Sequence, residues 1–254
     1  MSKFIKLKCL GCLNSFRQPD FHTYHKTLPI PPKTTIAGML GSALGISPIE
    51  VNDEWLEKER FKVGIIAKAN GKANDLWQIR KFETKRISAY AQGKVETPYY
   101  TAVIVRELLY QMQFNLYFYF ENTEDYDLLF EALQNPAWAL SFGREDELFK
   151  VLALNQIELK ETESAFFSNT ILPYDINAEG YEMDSTFLAN NMSKNLLEEA
   201  PKVLKLPVSF AHNGEVRTAN QFSYFTFVSN FPVKPNADVR VFFDAEDNLN
   251  FQLI

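Results

Sequence analysis

The sequence predicts an α+β protein whose main elements follow the order β-α-β-β-α-β, with a smaller β-rich lobe after them. Three observations carry this. The N-terminus alternates apolar residues with lysines at a period of two, the repeat of a strand with one face buried. Two stretches near residues 34–44 and 124–133 place apolar residues at helical spacing. Around them run segments rich in Val, Ile, Phe and Tyr, which suit a pleated, half-buried surface.

The first strand, Lys3–Cys9, puts Ile5, Leu7 and Cys9 on one face and lysines on the other. A long polar and aromatic loop runs on to Pro32. Thr34 is the expected N-cap of the first helix, with Ile36, Leu40, Ala43 and Leu44 as its apolar stripe and Gly45 as its stop. Gly38, Gly41 and Ser42 cost helix propensity, which places this helix flat against a sheet, where another backbone comes close. Ser47-Pro48-Ile49-Glu50 has the spacing of a second, short helix start. Strands are expected at Phe61–Ala67, Leu76–Ala89 and Tyr99–Leu109, and Gln113–Glu121 (QFNLYFYFE) is the clearest central strand. Tyr126, Leu129, Phe130 and Leu133 then share a helix face that Asn135-Pro136 closes, and Glu147–Leu159 reads as a further strand. Stripped of insertions, residues 1–160 give the ferredoxin-like split β-α-β arrangement. In residues 161–254, strands at Phe222–Val228 and Val239–Phe243, a short helix at Ala189–Ala200 and a loop at Tyr174–Tyr181 form the smaller lobe. No flexible linker separates it from the first.

The 254 residues suffice for a sizeable core, and 46% hydrophobic with 23% charged residues is a globular balance. No run approaches the roughly 20 apolar residues that span a bilayer. The N-terminus lacks a signal-peptide core, so no membrane association and a cytoplasmic location are expected. Two cysteines cannot build a disulfide framework. The net charge of −6 conceals an asymmetry. Residues 1–94 hold 16 Lys/Arg against 8 Asp/Glu, net +8, and residues 95–254 hold 10 against 24, net −14. Lys58–Lys94 carries 10 basic residues against only Glu59, Asp75 and Glu83. Such one-sided charge suits a polyanion on one face and other partners elsewhere; a solvated basic surface fits the same numbers.

Within that stretch, Arg80-Lys81-Phe82-Glu83-Thr84-Lys85-Arg86, flanked by Lys68, Lys72 and Lys94, interleaves cations with aromatics. Trp77, Phe82 and Tyr90 offer stacking surfaces for unpaired bases while the cations hold phosphates. As an extended hairpin it would put Arg80, Phe82 and Thr84 on one face and Lys81, Glu83 and Lys85 on the other. An exposed hairpin solubilised by lysines is the plainer reading. Ser141-Phe142-Gly143-Arg144-Glu145 sets a glycine beside an arginine, so that a tight turn brings Arg144 to a phosphate; a turn held by a salt bridge is the alternative. Tyr24, His25 and Lys26 sit in one loop and have the side-chain types for metal-independent RNA cleavage, although a partner-contacting surface loop is favoured. Cys9, Cys12, His22 and His25 miss zinc-finger spacing, so no metal and no cofactor is expected. The sequence has no phosphate-binding glycine motif, GxSxG elbow or HExxH.

Two motifs support a family resemblance. Asn14-Ser15-Phe16-Arg17-Gln18-Pro19, followed by the segment from Thr27 through Pro29-Ile30-Pro31-Pro32-Lys33-Thr34 to Gly45, resembles the N-terminal signature of the Cas-five family of CRISPR-associated proteins. Leu140–Asp146 resembles that family's glycine-containing segment after the second helix. The length and the FGRED form are most similar to I-B-like members. The resemblance implies a RAMP-type ferredoxin fold with a protruding β-hairpin within Lys68–Tyr99. It implies a subunit that holds the 5′ handle of the CRISPR RNA in Cascade, beside the large subunit and the first backbone subunit, with Arg17, Lys33 and Thr34 near the RNA. Contact with target DNA through the complex is left open. The I-C branch of the family is a guide-processing endonuclease that uses Tyr, Lys and His. Its Lys-His pair lies in the hairpin region, whereas this chain has no His between positions 26 and 211. A non-catalytic binding subunit is therefore the expected function.

Overall fold

The alternation at the N-terminus becomes the strand β1 (Ser2–Asn14), and the rest of the chain is laid out around it. The computed structural model describes residues 2–18, 20–21, 24–162, 165–191, 200–214 and 216–254, apart from the side chains of Leu188, Asn191 and Val216. Pro19, His22 and positions 192–199 of the expected helix at 189–200 lie outside the described residues. After β1 come β2 (Tyr24–His25), α1 (Lys33–Leu44) and α2 (Pro48–Glu50), which runs into a π-helical turn (Val51–Leu56). Then follow β3 (Lys62–Lys68), β4 (Gly71–Phe82), α3 (Thr84–Ala91), β5 (Tyr99–Tyr119), α4 (Thr123–Gln134) and β6 (Phe149–Leu159). The remainder comprises β7 (Glu161–Thr162), β8 (Thr170–Leu172), α5 (Ile176–Glu179), β9 (Tyr181–Met183), α6 (Ser185–Asn191), β10 (Lys202–Asn213), β11 (Val216–Val228), β12 (Val233–Pro235), β13 (Val241–Asp244) and β14 (Leu249–Phe251).

The main sheet runs β10-β11-β8-β3-β5-β1-β6. Its β3-β5-β1-β6 part is antiparallel throughout, with Leu7 of β1 between Leu116 of β5 and Leu154 of β6, and Ile65 of β3 on the far side of Leu116. α1 lies on the connection from β1 to β3 and α4 on that from β5 to β6. The α+β class and the antiparallel sheet thus follow the expectation. From the C-terminal residues, β8, β10 and β11 extend this same sheet, while β9 pairs β12 and β7-β13-β14 forms a small sheet of its own. No helix among the described residues is long and apolar enough to cross a membrane.

One face of the sheet is covered by the helices. Ile5, Leu7 and Cys9 of β1, Phe114, Leu116 and Phe118 of β5, and Ile36, Ala37, Met39, Leu40 and Ala43 of α1 are buried together there. α4 adds Tyr126, Leu129 and Leu133, with Phe130 partly buried beside them, and its N-cap Asn122 accepts from the Glu124 N–H at 2.9 Å. α1 begins earlier than expected. Pro32, not Thr34, is its N-cap, and the Pro32 carbonyl accepts from the Thr35 and Ile36 N–H groups at 2.9 and 3.2 Å. Proline's fixed φ suits that role, and no side chain caps the helix. Gly45 ends it at φ +71°. Gly38 and Gly41 of α1 do not press on the sheet. A Cβ on Gly41 would meet Val51 of the π-helical turn at 2.4 Å, whereas Gly38 faces open space.

The opposite face is covered too, so β1 is not the half-exposed strand its alternation suggests. Phe4, Tyr117, Phe242 and Phe251 form a second core under β13 and β14, with Tyr117 and Phe251 stacked at 4.1 Å. Lys6 is fully buried there, its Nζ 2.5 Å from Asp244, 2.7 Å from Glu246 and 2.7 Å from Asp247. The acidic turn that reaches it lies some 240 residues away in the chain. Gly64 of β3 makes room for this layer, since a Cβ there would fall 2.0 Å from the Phe251 ring. Gly64→Ala is expected to cost about 1–3 kcal/mol by overpacking, read as a lowered denaturant midpoint with unchanged slope.

Two expected strands, Tyr99–Leu109 and Gln113–Glu121, are one. β5 runs unbroken for 21 residues, with Gln111 at φ +47° between its two halves. The first half pairs with β4 as a hairpin and the second is the central strand of the sheet. The expected strand Leu76–Ala89 ends at Phe82, which pairs with Tyr99. Residues 83–98 therefore have no strand opposite them, and Thr84–Ala91, with helix formers Lys, Arg and Ala, coils into α3 at the hairpin tip. The expected loop Tyr174–Tyr181 contains α5, capped by Asp175. That cap accepts from the Asn177 N–H at 2.9 Å.

Candidate nucleic-acid interface

The β4–β5 hairpin carries most of the basic residues singled out in the sequence. Lys72, Leu76, Arg80 and Phe82 stand exposed along one face of β4; Leu76 is 67% and Phe82 60% exposed. The Arg80 guanidinium lies 4.8 Å from the Tyr99 ring, and Phe82 meets that ring edge-on at 5.6 Å. Arg80 and Phe82 share a face as the alternation requires, and Lys81 takes the other opposite Tyr100. Beyond them the alternation stops, because Thr84, Lys85 and Arg86 belong to α3. Arg86 holds the tip together. It donates to the Thr97 carbonyl at 3.1 Å and to Thr97 Oγ1 at 3.2 Å, and lies over the Tyr100 ring at 4.2 Å. Lys68, Lys81, Lys85 and Lys94 are exposed, and none forms an ion pair among the described residues. Lys72 is 3.7 Å from Glu107.

At the base of the hairpin, Trp77 of β4 has two guanidinium groups against its ring, Arg106 at 4.2 Å and Arg144 at 4.4 Å. Cations over indole are favourable, so the tryptophan gathers both arginines at one place. Arg106 donates to Asp75 at 2.9 Å. Its Nη1 lies 3.7 Å from Glu147, near enough to feel that charge but too far to hydrogen-bond. Arg144 Nη2 is 3.4 Å from His25 Nδ1. The loop bearing Arg144 is built around Glu147, which accepts from Ser15 N–H at 2.7 Å, Ser15 Oγ–H at 2.5 Å and Arg144 N–H at 3.2 Å. Burial pushes the Glu147 carboxyl above its ordinary value, against the pull of those bonds and of Arg106. Gly143, at φ +107°, must be glycine, since a Cβ would fall 2.1 Å from Glu147 and 2.2 Å from the Ser15 carbonyl.

Arg144 and Gly143 also form one wall of a cleft of about 330 Å³ whose floor is the outer face of α1, through Thr34, Gly38 and Ser42. Thr34 thus sits beside Arg144. Lys33 points elsewhere: its Nζ lies 5.2 Å from the Phe61 ring and its side chain packs among Leu206, Phe225 and Phe227, where burial lowers its pKa. Arg17 is exposed, in an isolated bridge to Thr27. The loop residues diverge. Tyr24 donates to Asn74 at 3.2 Å, Lys26 lies over Phe21 at 5.4 Å, and His25 alone joins the Arg144 group. Cys9 is buried in the helix-side core and Cys12 is exposed. The carboxylates of Asp244, Glu246 and Asp247 converge, but on the Lys6 ammonium.

Sequence reasoning did not single out Arg106, Glu147, Trp138 or Arg217. Arg106 lies in a run read only as a strand, and Arg217 reaches α1 from strands more than 150 residues downstream. Trp77 was legible, because an aromatic among cations is a signal by itself.

A groove and hairpin of cations, exposed aromatics and small residues make a surface suited to a single-stranded polyanion. Residues 4–193 match the family described as CRISPR-associated protein (Cas_Cas5), and the chain belongs to that family. None of the curated proteins matches the chain. Among solved structures, it is similar to a chain of a CRISPR RNA-guided surveillance complex, with TM-score 0.53, 18% identity, and coverage of 93% of this chain and 91% of that one. A CRISPR protein from Archaeoglobus fulgidus matches with TM-score 0.48 and 12% identity over 98% and 97% of the two chains. A chain of the type III-B Cmr-beta complex bound to cognate target RNA and AMPPnP matches with TM-score 0.40 and 16% identity over 92% and 86%. The first of these likenesses shows a shared fold.

Proposed function

We propose that this protein is a non-catalytic, RNA-binding subunit of a type I CRISPR effector complex. It holds the 5′ handle of the guide RNA and contacts the large and backbone subunits. The observation that carries the reading is the continuity between hairpin and α1 cleft. Lys81, Lys85 and Lys94 lie exposed at one end, Thr34 and Arg144 at the other, and Trp77 with its two arginines joins them. Cations at these places grip phosphates, and the bare rings of Phe82 and Tyr90 offer stacking faces. The order β3-β5-β1-β6 with crossing helices supports a ferredoxin-like core, and the FGRED loop an I-B-like subtype. The exposed acidic residues elsewhere on the chain face protein partners or solvent.

The divergence of Tyr24, His25 and Lys26 supports a binding role over cleavage. General acid–base chemistry requires its groups within hydrogen-bond reach of one substrate, and adjacent strand residues such as Tyr24 and His25 point to opposite faces. Co-expression of the full chain with its neighbouring subunits and a repeat-containing RNA, followed by sequencing of the co-purified RNA, tests the reading. Enrichment of a repeat-derived 5′ end is expected. Absence of RNA contradicts binding, and specific cleavage of repeat RNA by the purified protein in EDTA contradicts the non-catalytic role.

A further inference from the structure

The α1 cleft continues past Arg144 into a second space of about 320 Å³, between α1 and the tip of the β10–β11 hairpin. Thr34, Gly38, Ser42 and Arg217 line both parts, so they form one trough. Trp138, Phe210 and His212 line only the second part, where Arg217 joins them. Trp138 is 70% exposed at its lip, although its backbone is fixed by a 3.1 Å bond from its N–H to the Ser42 carbonyl. The Arg217 guanidinium lies flat enough on Phe210 to bring its carbon within 3.5 Å of the ring centroid. His212, the cross-strand neighbour of Arg217, has a buried Nε2 with no hydrogen-bond partner among the described residues.

We propose that this part of the trough is a pocket for one unstacked nucleobase of the bound RNA, with Arg217 against the neighbouring phosphate. The inference rests on the RNA-binding reading above and adds a contact from the C-terminal strands. The chemistry fits a base in three ways. A bare indole on a fixed backbone is a stacking face that costs little to order. An imidazole nitrogen left unpaired in a cleft is unfavourable until a polar edge meets it, and a nucleobase supplies donors and acceptors on its edge. The Arg217 guanidinium is exposed at the mouth of the trough and held over the Phe210 ring, so it is placed to meet a phosphate beside the base. Gly38, with open space above it, leaves the floor low enough for a flat ring. Within their ranges, β10 and β11 contain Lys202, Lys205 and Arg217 and no Asp or Glu, so both strands are basic within an otherwise acidic half of the sequence.

The test uses the complex assembled on the full chain. The co-purified RNA is sequenced and resynthesised with a single abasic nucleotide at each handle position, and competition binding is measured for each. One position is expected to lose on the order of tenfold in affinity when its base is removed. That loss is expected to vanish in Trp138→Ala, and to return in Trp138→Phe, which keeps a stacking ring. Because Trp138 is mostly exposed, the fold does not depend on its indole, and an unchanged thermal midpoint checks this. A flat abasic profile with RNA still retained overturns the inference, as does a position-specific loss that persists in Trp138→Ala. Failure of the unaltered complex to retain any RNA overturns the RNA-binding reading itself, and the base pocket with it.

Discussion

Lys6→Met is expected to destabilise the protein by about 3–5 kcal/mol, because it removes the buried cation and leaves the buried Asp244 carboxylate without one. The ammonium is fully buried against Asp244, Glu246 and Asp247, and Asp244 also accepts from the Tyr117 hydroxyl at 2.8 Å. Burial alone would lower the Lys6 pKa, but the hydrogen bonds to the three carboxylates outweigh it and hold the ammonium charged. Acid titration separates this account from simple loss of packing. Asp247 is held below its ordinary value: burial pushes it up, and bonds from Lys6 and Lys8 more than reverse that. Its contribution is complete above the unfolded value of about 3.9 and is lost as the pH falls through the lower folded value. In Lys6→Met, Asp247 loses the first of the two cations that hold it down, and only Lys8 remains to oppose burial. The unaltered protein is then expected to lose more stability than the variant as the pH falls below about 4. Denaturant midpoints from neutral pH down through that range decide it, and parallel curves would show that Lys6 contributes no charge pairing.

Glu147→Ala is expected to have a comparable effect, about 3–5 kcal/mol, and also to impair RNA retention. Three donors, Ser15 N–H, Ser15 Oγ–H and Arg144 N–H, lose their acceptor, and Arg106 loses one of its two neighbouring anions. The loop then no longer fixes Arg144 against Trp77, so the binding defect is expected to persist at temperatures where the variant is still folded. Glu147→Gln keeps the shape and one acceptor oxygen for the two backbone N–H groups but turns an N–H toward Ser15 Oγ and loses the charge beside Arg106, and is expected to recover only part of the stability. Full RNA binding by folded Glu147→Ala would show that the loop does not position Arg144.

Local signals carried the strands β1, β3 and β6, the helices α1 and α4, and the stop at Gly45, because each rests on spacing within a dozen residues. What failed was non-local. The lysine alternation of β1 looks solvent-facing until an acidic turn from the far end of the chain covers Lys6. Residues 83–89 have strand-like spacing, yet the ladder opposite them begins only at Tyr99. The candidate site divides in the same way. Its cations and Trp77 could be named from a short charged run, whereas Arg106, Glu147 and Arg217 reach it only through pairings that no window of sequence contains. Lys33 shows the reverse error: a basic residue at a helix start, it turns to Phe61 and the β10–β11 side.

The salt dependence of guide-RNA retention in a Lys81→Ala, Lys85→Ala, Lys94→Ala variant tests the central claim most directly. These three lysines are exposed and form no ion pair among the described residues, so their loss leaves the fold intact. Each phosphate contact to a single strand contributes about 0.7 to the slope of log affinity against log salt, so the account predicts weaker binding with a slope shallower by about 2. An unchanged affinity and an unchanged slope would contradict it, and would remove the hairpin from the RNA path.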